Sequence, residues 1–177
     1  MIVNLTQKER SLLQDQKSHE EMCIKKYTNY SGLASDPELR SLFENHANTE
    51  RSHLDSINQL LSGQLPNTGS QNSGQSQGSS QGTQSQASNQ GSNATSKSEQ
   101  SMSGSLGNMS QSQMSDKDFC TDLLSTEKYV SGTYDTAIFE FRDPQIRSVL
   151  NHIQKEEQQH GESIFKYMES KGLYQAQ

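Results

Sequence analysis

Apolar and special residues recur at steps of three and four along four stretches of this chain, the spacing of one helical face. In the first stretch the face is Leu13, Gln16, Glu20, Cys23, Tyr27 and Tyr30; in the second it is Leu39, Phe43, His46, Glu50, His53, Ile57 and Leu60. The third reads Cys120, Leu123, Glu127, Val130, Tyr134 and Ala137, and the fourth Ile146, Leu150, Ile153, Glu157, His160, Ile164 and Tyr167. Start and stop signals bracket these faces. Thr6 with Glu9 reads as a capping box opening the first helix, which should end around Gly32. Ser115, with Asp118 three residues on, opens the third. Asp36-Pro37 and Asp143-Pro144 each supply an N-cap and then a proline at the first helical position, where its missing N–H costs nothing. Gly63 and Gly172 stop the second and fourth helices. The pattern predicts an all-α fold of two helical hairpins, residues 5–62 and 116–174.

Between them, residues 63–115 are almost only Ser, Gln, Gly, Asn and Thr, and the few apolar ones (Leu65, Met102, Leu106, Met109, Met114) have no period. Such a segment cannot bury enough apolar surface to offset the entropy of ordering it, so it reads as a flexible, disordered tether. A two-helix piece of roughly sixty residues is marginal alone. The hairpins are therefore expected to form one four-helix bundle, against each other or against another chain. A helix of about 26 residues is ~39 Å long, and a flexible chain of about fifty residues spans ~40 Å r.m.s.. The tether can thus cross over along the bundle's length.

The two hairpins repeat each other at a constant offset of 107 (Glu20 to Glu127). Tyr27 matches Tyr134, Asp36-Pro37 matches Asp143-Pro144, Arg40-Ser41 matches Arg147-Ser148, and Glu50-Arg51-Ser52-His53 matches Glu157-Gln158-Gln159-His160. Six ionisable residues, Glu20, Glu50, His53, Glu127, Glu157 and His160, fall on faces that should be core. A buried unpaired carboxylate costs several kcal/mol, and four together repel, which forces some to stay protonated. Two divalent cations remove both problems, because four ionised glutamates and two M²⁺ ions balance and the histidines bind as neutral imidazoles. One glutamate plus Glu-x-x-His, written twice, is the ligand set of a two-metal carboxylate site in a helix bundle. Heights agree as well. The midpoint between Glu20 and the Glu50/His53 pair falls in the first predicted turn, and that between Glu127 and the Glu157/His160 pair in the second, so each set lies at one level. The alternative is a relict or purely structural acid cluster, since duplication makes the copies non-independent. Iron and manganese both suit such donors.

Other polar residues carry less weight. His46, whose repeat partner is Ile153, reads either as an extra ligand or donor, or as a core or boundary histidine. Tyr27 and Tyr134 either bond ligand carboxylates or fill the core. Glu21, Glu156 and Glu162 are expected in solvent, and His19 and His152, which flank their faces, are expected to be exposed.

A formal charge of −6 and the lack of a basic stripe argue against nucleic acid. No stretch approaches eighteen consecutive apolar residues, so no membrane span is expected. Met1–Ser11 lacks the apolar region of a secretory signal. Cys23 and Cys120 form no CxxC pair and sit at non-matching repeat positions. They read as buried thiols of a reducing compartment, with an inter-chain disulfide as the lesser reading. No Ser-His-Asp set or phosphate loop is visible.

The two hairpins resemble the ferritin-like superfamily, whose six ligand positions match residue by residue. Within it, Asp116-Lys117-Asp118, Glu156-Glu157-Gln158-Gln159-His160, Ile164-Phe165-Lys166-Tyr167-Met168 and Lys171-Gly172-Leu173-Tyr174 resemble the spore coat protein F (coat F domain) family. The resemblance covers both hairpins and none of the tether. It implies a spore coat component, made in the mother-cell cytoplasm and then laid on the spore, with other coat proteins or copies of itself as partners. Two classes of function follow. One is a structural or assembly role. The other is a di-iron or di-manganese oxidoreductase acting on peroxide or dioxygen, in which Glu50 and Glu157 bridge the metals, Glu20 and Glu127 are terminal ligands, and His53 and His160 give one nitrogen to each metal.

Overall fold

A computed structural model describes residues 4–66 and 114–174; the expected tether lies almost wholly outside them. Four helices appear where the periodicity puts them: α1 (Gln7–Leu33), α2 (Pro37–Leu61), α3 (Asp116–Glu140) and α4 (Pro144–Ser170). Among the described residues there is no strand. Thr6 and Ser115 each complete a capping box, with Glu9 and Asp118 respectively, so two orphan donors per helix start are satisfied. Asp36 and Asp143 accept from the backbone N–H groups of Glu38 and Gln145, both at 2.8 Å. At the far ends, Gly63 (φ 82°) and Gly172 (φ 68°) take the left-handed conformation that closes α2 and α4.

Each hairpin turns in three residues, Ala34–Asp36 and Phe141–Asp143. The repeat's arginines brace these turns. Arg40 donates to the carbonyls of Ala34 (2.6 Å) and Ser35 (3.1 Å), and Arg147 to those of Phe141 (2.7 Å) and Arg142 (2.9 Å).

α1 packs on α2 and α3 on α4, while α1 against α3 and α2 against α4 join the hairpins. Every residue of the four sequence-derived faces is buried. Leu13, Leu39, Phe43, Ile57, Leu60, Leu123, Leu150 and Ile164 have no exposed surface, and each such side chain contributes ~1.5–3 kcal/mol of burial free energy.

Two reciprocal carboxylate clasps tie the hairpins at their ends. Asp116, at the start of α3, accepts from the backbone N–H of Ser35 (2.7 Å) and Asp36 (2.9 Å) in the α1–α2 turn. Glu9, at the start of α1, accepts from the backbone N–H of Arg142 (3.0 Å) in the α3–α4 turn. Glu9 and Asp116 stand at equivalent positions of the repeat, as do Ser35 and Arg142. The clasps make α1 and α3 antiparallel. They also extend the repeat beyond the residues whose identity matches, because a glutamate and an aspartate perform one task.

Candidate metal centre

The six ionisable residues singled out in the sequence meet in the middle of the bundle, one or two from each helix, all buried. α1 supplies Glu20, α2 supplies Glu50 and His53, α3 supplies Glu127, and α4 supplies Glu157 and His160. They form two groups of four: Glu20, Glu50, His53 and Glu157, and Glu50, Glu127, Glu157 and His160. Within each group one ligand atom per residue lies within 4.8 Å of the others. Glu50 and Glu157 belong to both.

The shared carboxylates divide their oxygens between the two imidazoles. Glu50 Oε1 lies 2.8 Å from His160 Nδ1, and its Oε2 lies 3.3 Å from His53 Nδ1. Glu157 Oε1 lies 2.9 Å from His53 Nδ1, and its Oε2 lies 3.8 Å from His160 Nδ1. The unshared glutamates are held from across the hairpin boundary: the Tyr134 hydroxyl donates to Glu20 Oε1, and the Tyr27 hydroxyl to Glu127 Oε1. Each tyrosine follows its own helix's glutamate by two turns. Because α1 and α3 run antiparallel, it comes level with the glutamate of the other copy.

Among the described residues, seven buried polar atoms make no well-directed hydrogen bond, even where a neighbour is close: Glu20 Oε2, Glu50 Oε1, Glu127 Oε2, both oxygens of Glu157, His160 Nδ1 and His46 Nδ1. Six of the seven belong to the cluster. Natively folded chains rarely leave buried acceptors unpaired, and here the orphans converge from four helices. Burial pushes the carboxyls of Glu20 and Glu157 up to about 7 and those of Glu50 and Glu127 above the usual range, with neighbouring carboxylates adding to the effect. Burial pulls His160 below its ordinary value. Burial also opposes a charge on His53, but its contacts with Glu156, Glu157, Glu20 and Glu50 outweigh that and raise it. The protein alone thus neutralises this cluster only by holding protons on it. Hard oxygen donors with one nitrogen per group fit a divalent cation in each group, so the residues present suit the two-metal reading.

Around the cluster the two copies diverge. His53 Nε2 donates to Glu156 Oε2 at 2.8 Å, which fixes the ring and leaves Nδ1 facing the carboxylates. Glu156 was expected in solvent; instead it is half-buried, with 31% of its side chain exposed, and no sequence feature other than its place beside Glu157 marks it. His46 proves buried. Its ring stacks on that of His160 at 4.2 Å between centroids, and its Nε2 lies 2.9 Å from Ser163 Oγ. It belongs to neither four-residue group. His19 is half-buried rather than exposed, its ring edge-on to Tyr129 and its Nδ1 3.3 Å from Thr133 Oγ1. His152 lies 3.5 Å from Glu156 and is largely exposed, as its position predicts. Cys23 and Cys120 are both free and buried.

No helix among the described residues is long and apolar enough to cross a membrane. No solved structure matches the chain. An uncharacterized protein of Bacillus subtilis (strain 168), YusN, is 37% identical over 60 residues, covering 32% of this chain and 54% of that protein, so the chain spans about half the length of the curated relative it matches. The Coat F domain family model matches residues 115–177, the C-terminal third that carries α3, α4, Glu127, Glu157 and His160, and this segment is therefore similar to the Coat F domain family.

Proposed function

We propose that this chain is a spore coat component with a ferritin-like bundle, in which Glu20, Glu50, His53, Glu127, Glu157 and His160 hold two divalent ions, iron or manganese. The observation that carries the metal reading is the convergence of six orphaned ligand atoms on two overlapping groups. The Coat F match supports the coat assignment, with synthesis in the mother-cell cytoplasm, deposition on the spore, and other coat proteins as partners. In this reading the cations would cross-link the hairpins, since Glu50 from α2 and Glu157 from α4 belong to both groups and each group draws on both hairpins. Elemental analysis of the reconstituted full chain should give two iron or manganese ions per chain, and well under one overturns the reading. Isosteric Glu50→Gln and Glu157→Gln variants should then separate metal loading from incorporation into the coat.

The donor set favours a second reading, a di-iron or di-manganese oxidoreductase acting on peroxide or dioxygen. Two such ions, held by Glu20, Glu50, His53, Glu127, Glu157 and His160, would supply redox chemistry toward an O–O bond. The chain's own part is to exclude bulk water by burial, to hold Glu20 and Glu127 through Tyr134 and Tyr27, and to orient His53 through Glu156. Peroxide consumption by the metal-loaded protein, absent in the metal-free protein, tests it; no turnover by a fully loaded protein removes it.

A further inference from the structure

The repeat keeps every first ligand and breaks around them. Position by position, Glu156, which meets His53, corresponds to Thr49, and His46, which stacks on His160, corresponds to Ile153. The Thr49 hydroxyl donates to its own helix at Asn45 O (3.3 Å) and offers no carboxylate. From these differences, and resting on the two-metal reading above, we infer that the two cation positions are inequivalent: the Glu20–His53 half-site binds first and more tightly, and the Glu127–His160 half-site is the weaker, exchangeable one.

The physical grounds are local. A carboxylate accepting the far N–H of a ligating imidazole fixes its tautomer and ring angle and raises the donor strength of the near nitrogen, and losing such a partner costs 10–100-fold in metal affinity. His53 has that partner in Glu156 at 2.8 Å, while its Nδ1 already lies 2.9 Å from Glu157 and 3.3 Å from Glu50. Glu156 also places a negative charge in direct contact with the imidazole of this half-site, whereas His160 feels it only at a distance. The ring of His160 is held differently, by stacking on His46 at 4.2 Å and 23° between planes. A stack sets the plane of a ring but supplies neither charge nor an acceptor for its N–H. His46 itself is anchored through Ser163. The unshared carboxylates do not create the difference, because Tyr134 and Tyr27 hold Glu20 and Glu127 in the same way.

Repulsion between neighbouring cations splits binding into two steps even in a symmetric site, so variants rather than the number of steps decide the matter. Calorimetric titration of the metal-free full chain with manganese(II) is the measurement. The wild type should bind two ions. Glu127→Gln should keep the tight step and weaken or abolish the loose one, whereas Glu20→Gln should abolish the tight step. Glu156→Gln, isosteric and at a half-exposed position, should weaken the tight step by about 10–100-fold, and Thr49→Glu should strengthen the loose one. Equal effects of Glu20→Gln and Glu127→Gln on the first step overturn the inference, as does a Glu156→Gln titration that overlays the wild type. A wild type that binds no manganese instead overturns the two-metal reading beneath it. Far-UV circular dichroism of each variant separates loss of binding from loss of fold.

Discussion

Replacing Glu9 by glutamine tests whether the hairpins are latched at their ends. Glu9 is 2% exposed, and its oxygens accept from the Thr6 backbone N–H (2.7 Å), the Thr6 hydroxyl (2.8 Å) and the Arg142 backbone N–H (3.0 Å). Glutamine keeps one acceptor oxygen but turns an NH₂ toward donors. The lost capping contact costs about 1 kcal/mol, and the lost charge-assisted bond to Arg142 about 1.5–3 kcal/mol. A second route gives a similar size. Burial opposes ionisation of Glu9, but the backbone groups of Arg142 and Thr6 outweigh it and lower the carboxyl from 4.5 to about 2. That difference corresponds to at most ~3 kcal/mol, and the solvent around the exposed Arg142 side chain trims it toward ~2 kcal/mol.

The sign follows from proton binding. Between those two values the unfolded chain binds the proton and the folded chain does not, so the stabilisation is complete above pH 4.5 and disappears as the pH falls through about 2. Urea unfolding of wild type and Glu9→Gln, followed by circular dichroism at a series of pH values, reads this directly. The variant should be about 2–4 kcal/mol less stable at pH 7, with the gap closing on acidification. A gap below ~0.5 kcal/mol at pH 7, at the level of an unremarkable surface change, refutes the latch; so does a gap that ignores pH. Asp116→Asn at the opposite end should add to Glu9→Gln without coupling, since the clasps share no partner.

Three further outcomes follow from the same contacts. Tyr27→Phe and Tyr134→Phe each leave a buried carboxyl oxygen unpaired and should cost about 1–3 kcal/mol in the metal-free protein, measured by denaturant titration, with a smaller loss once metal neutralises the glutamates. The native thiols should be inert toward an aromatic disulfide reagent, with two reacting on unfolding, because burial drives Cys23 far above its ordinary value and Cys120 up to about 12. Manganese or iron at a hundredfold excess over its dissociation constant should stabilise the fold by about 2.7 kcal/mol, seen as a rise in melting temperature that a chelator reverses.

The helix faces were legible because a buried stripe leaves a 3-4 spacing whatever it is buried against; Gln16 and Glu20 kept the period of α1 although neither is apolar. The ligand candidates were legible for the converse reason: charge on a core face demands compensation, and the demand appeared twice in register. The Tyr27–Glu127 and Tyr134–Glu20 pairs were half visible. Two turns separate tyrosine from glutamate in both copies, but which glutamate each tyrosine reaches depends on α1 and α3 being antiparallel, and a single helix carries no record of that. Glu156 was invisible, because a residue one step from a core position points away from its own helix's stripe. Here it meets His53 arriving from another helix. The clasps by Glu9 and Asp116 were hidden by chemistry, since a one-carbon difference in side-chain length masks the equivalence of two carboxylates at matching positions.

These contacts divide the repeat into two kinds of position. Where both copies must do the same thing, the residues or their chemistry persist: the proline-capped turns, the bracing arginines, the clasping carboxylates, the tyrosines and all six candidate ligands. Outside that set most positions differ, including core ones (Leu13 against Cys120, Cys23 against Val130) and the neighbours of the ligands, Thr49 against Glu156 and His46 against Ile153. A cluster retained only as scaffold has no use for such a boundary, because packing constrains a ligand-bearing core position and its neighbour alike. A centre that binds two cations does: the shared carboxylates must stay identical to reach both ions, while the surroundings of each imidazole are free to set each ion's affinity. A wild-type chain that leaves both positions empty in excess manganese would remove that explanation and return the six residues to the status of a protonated acid cluster.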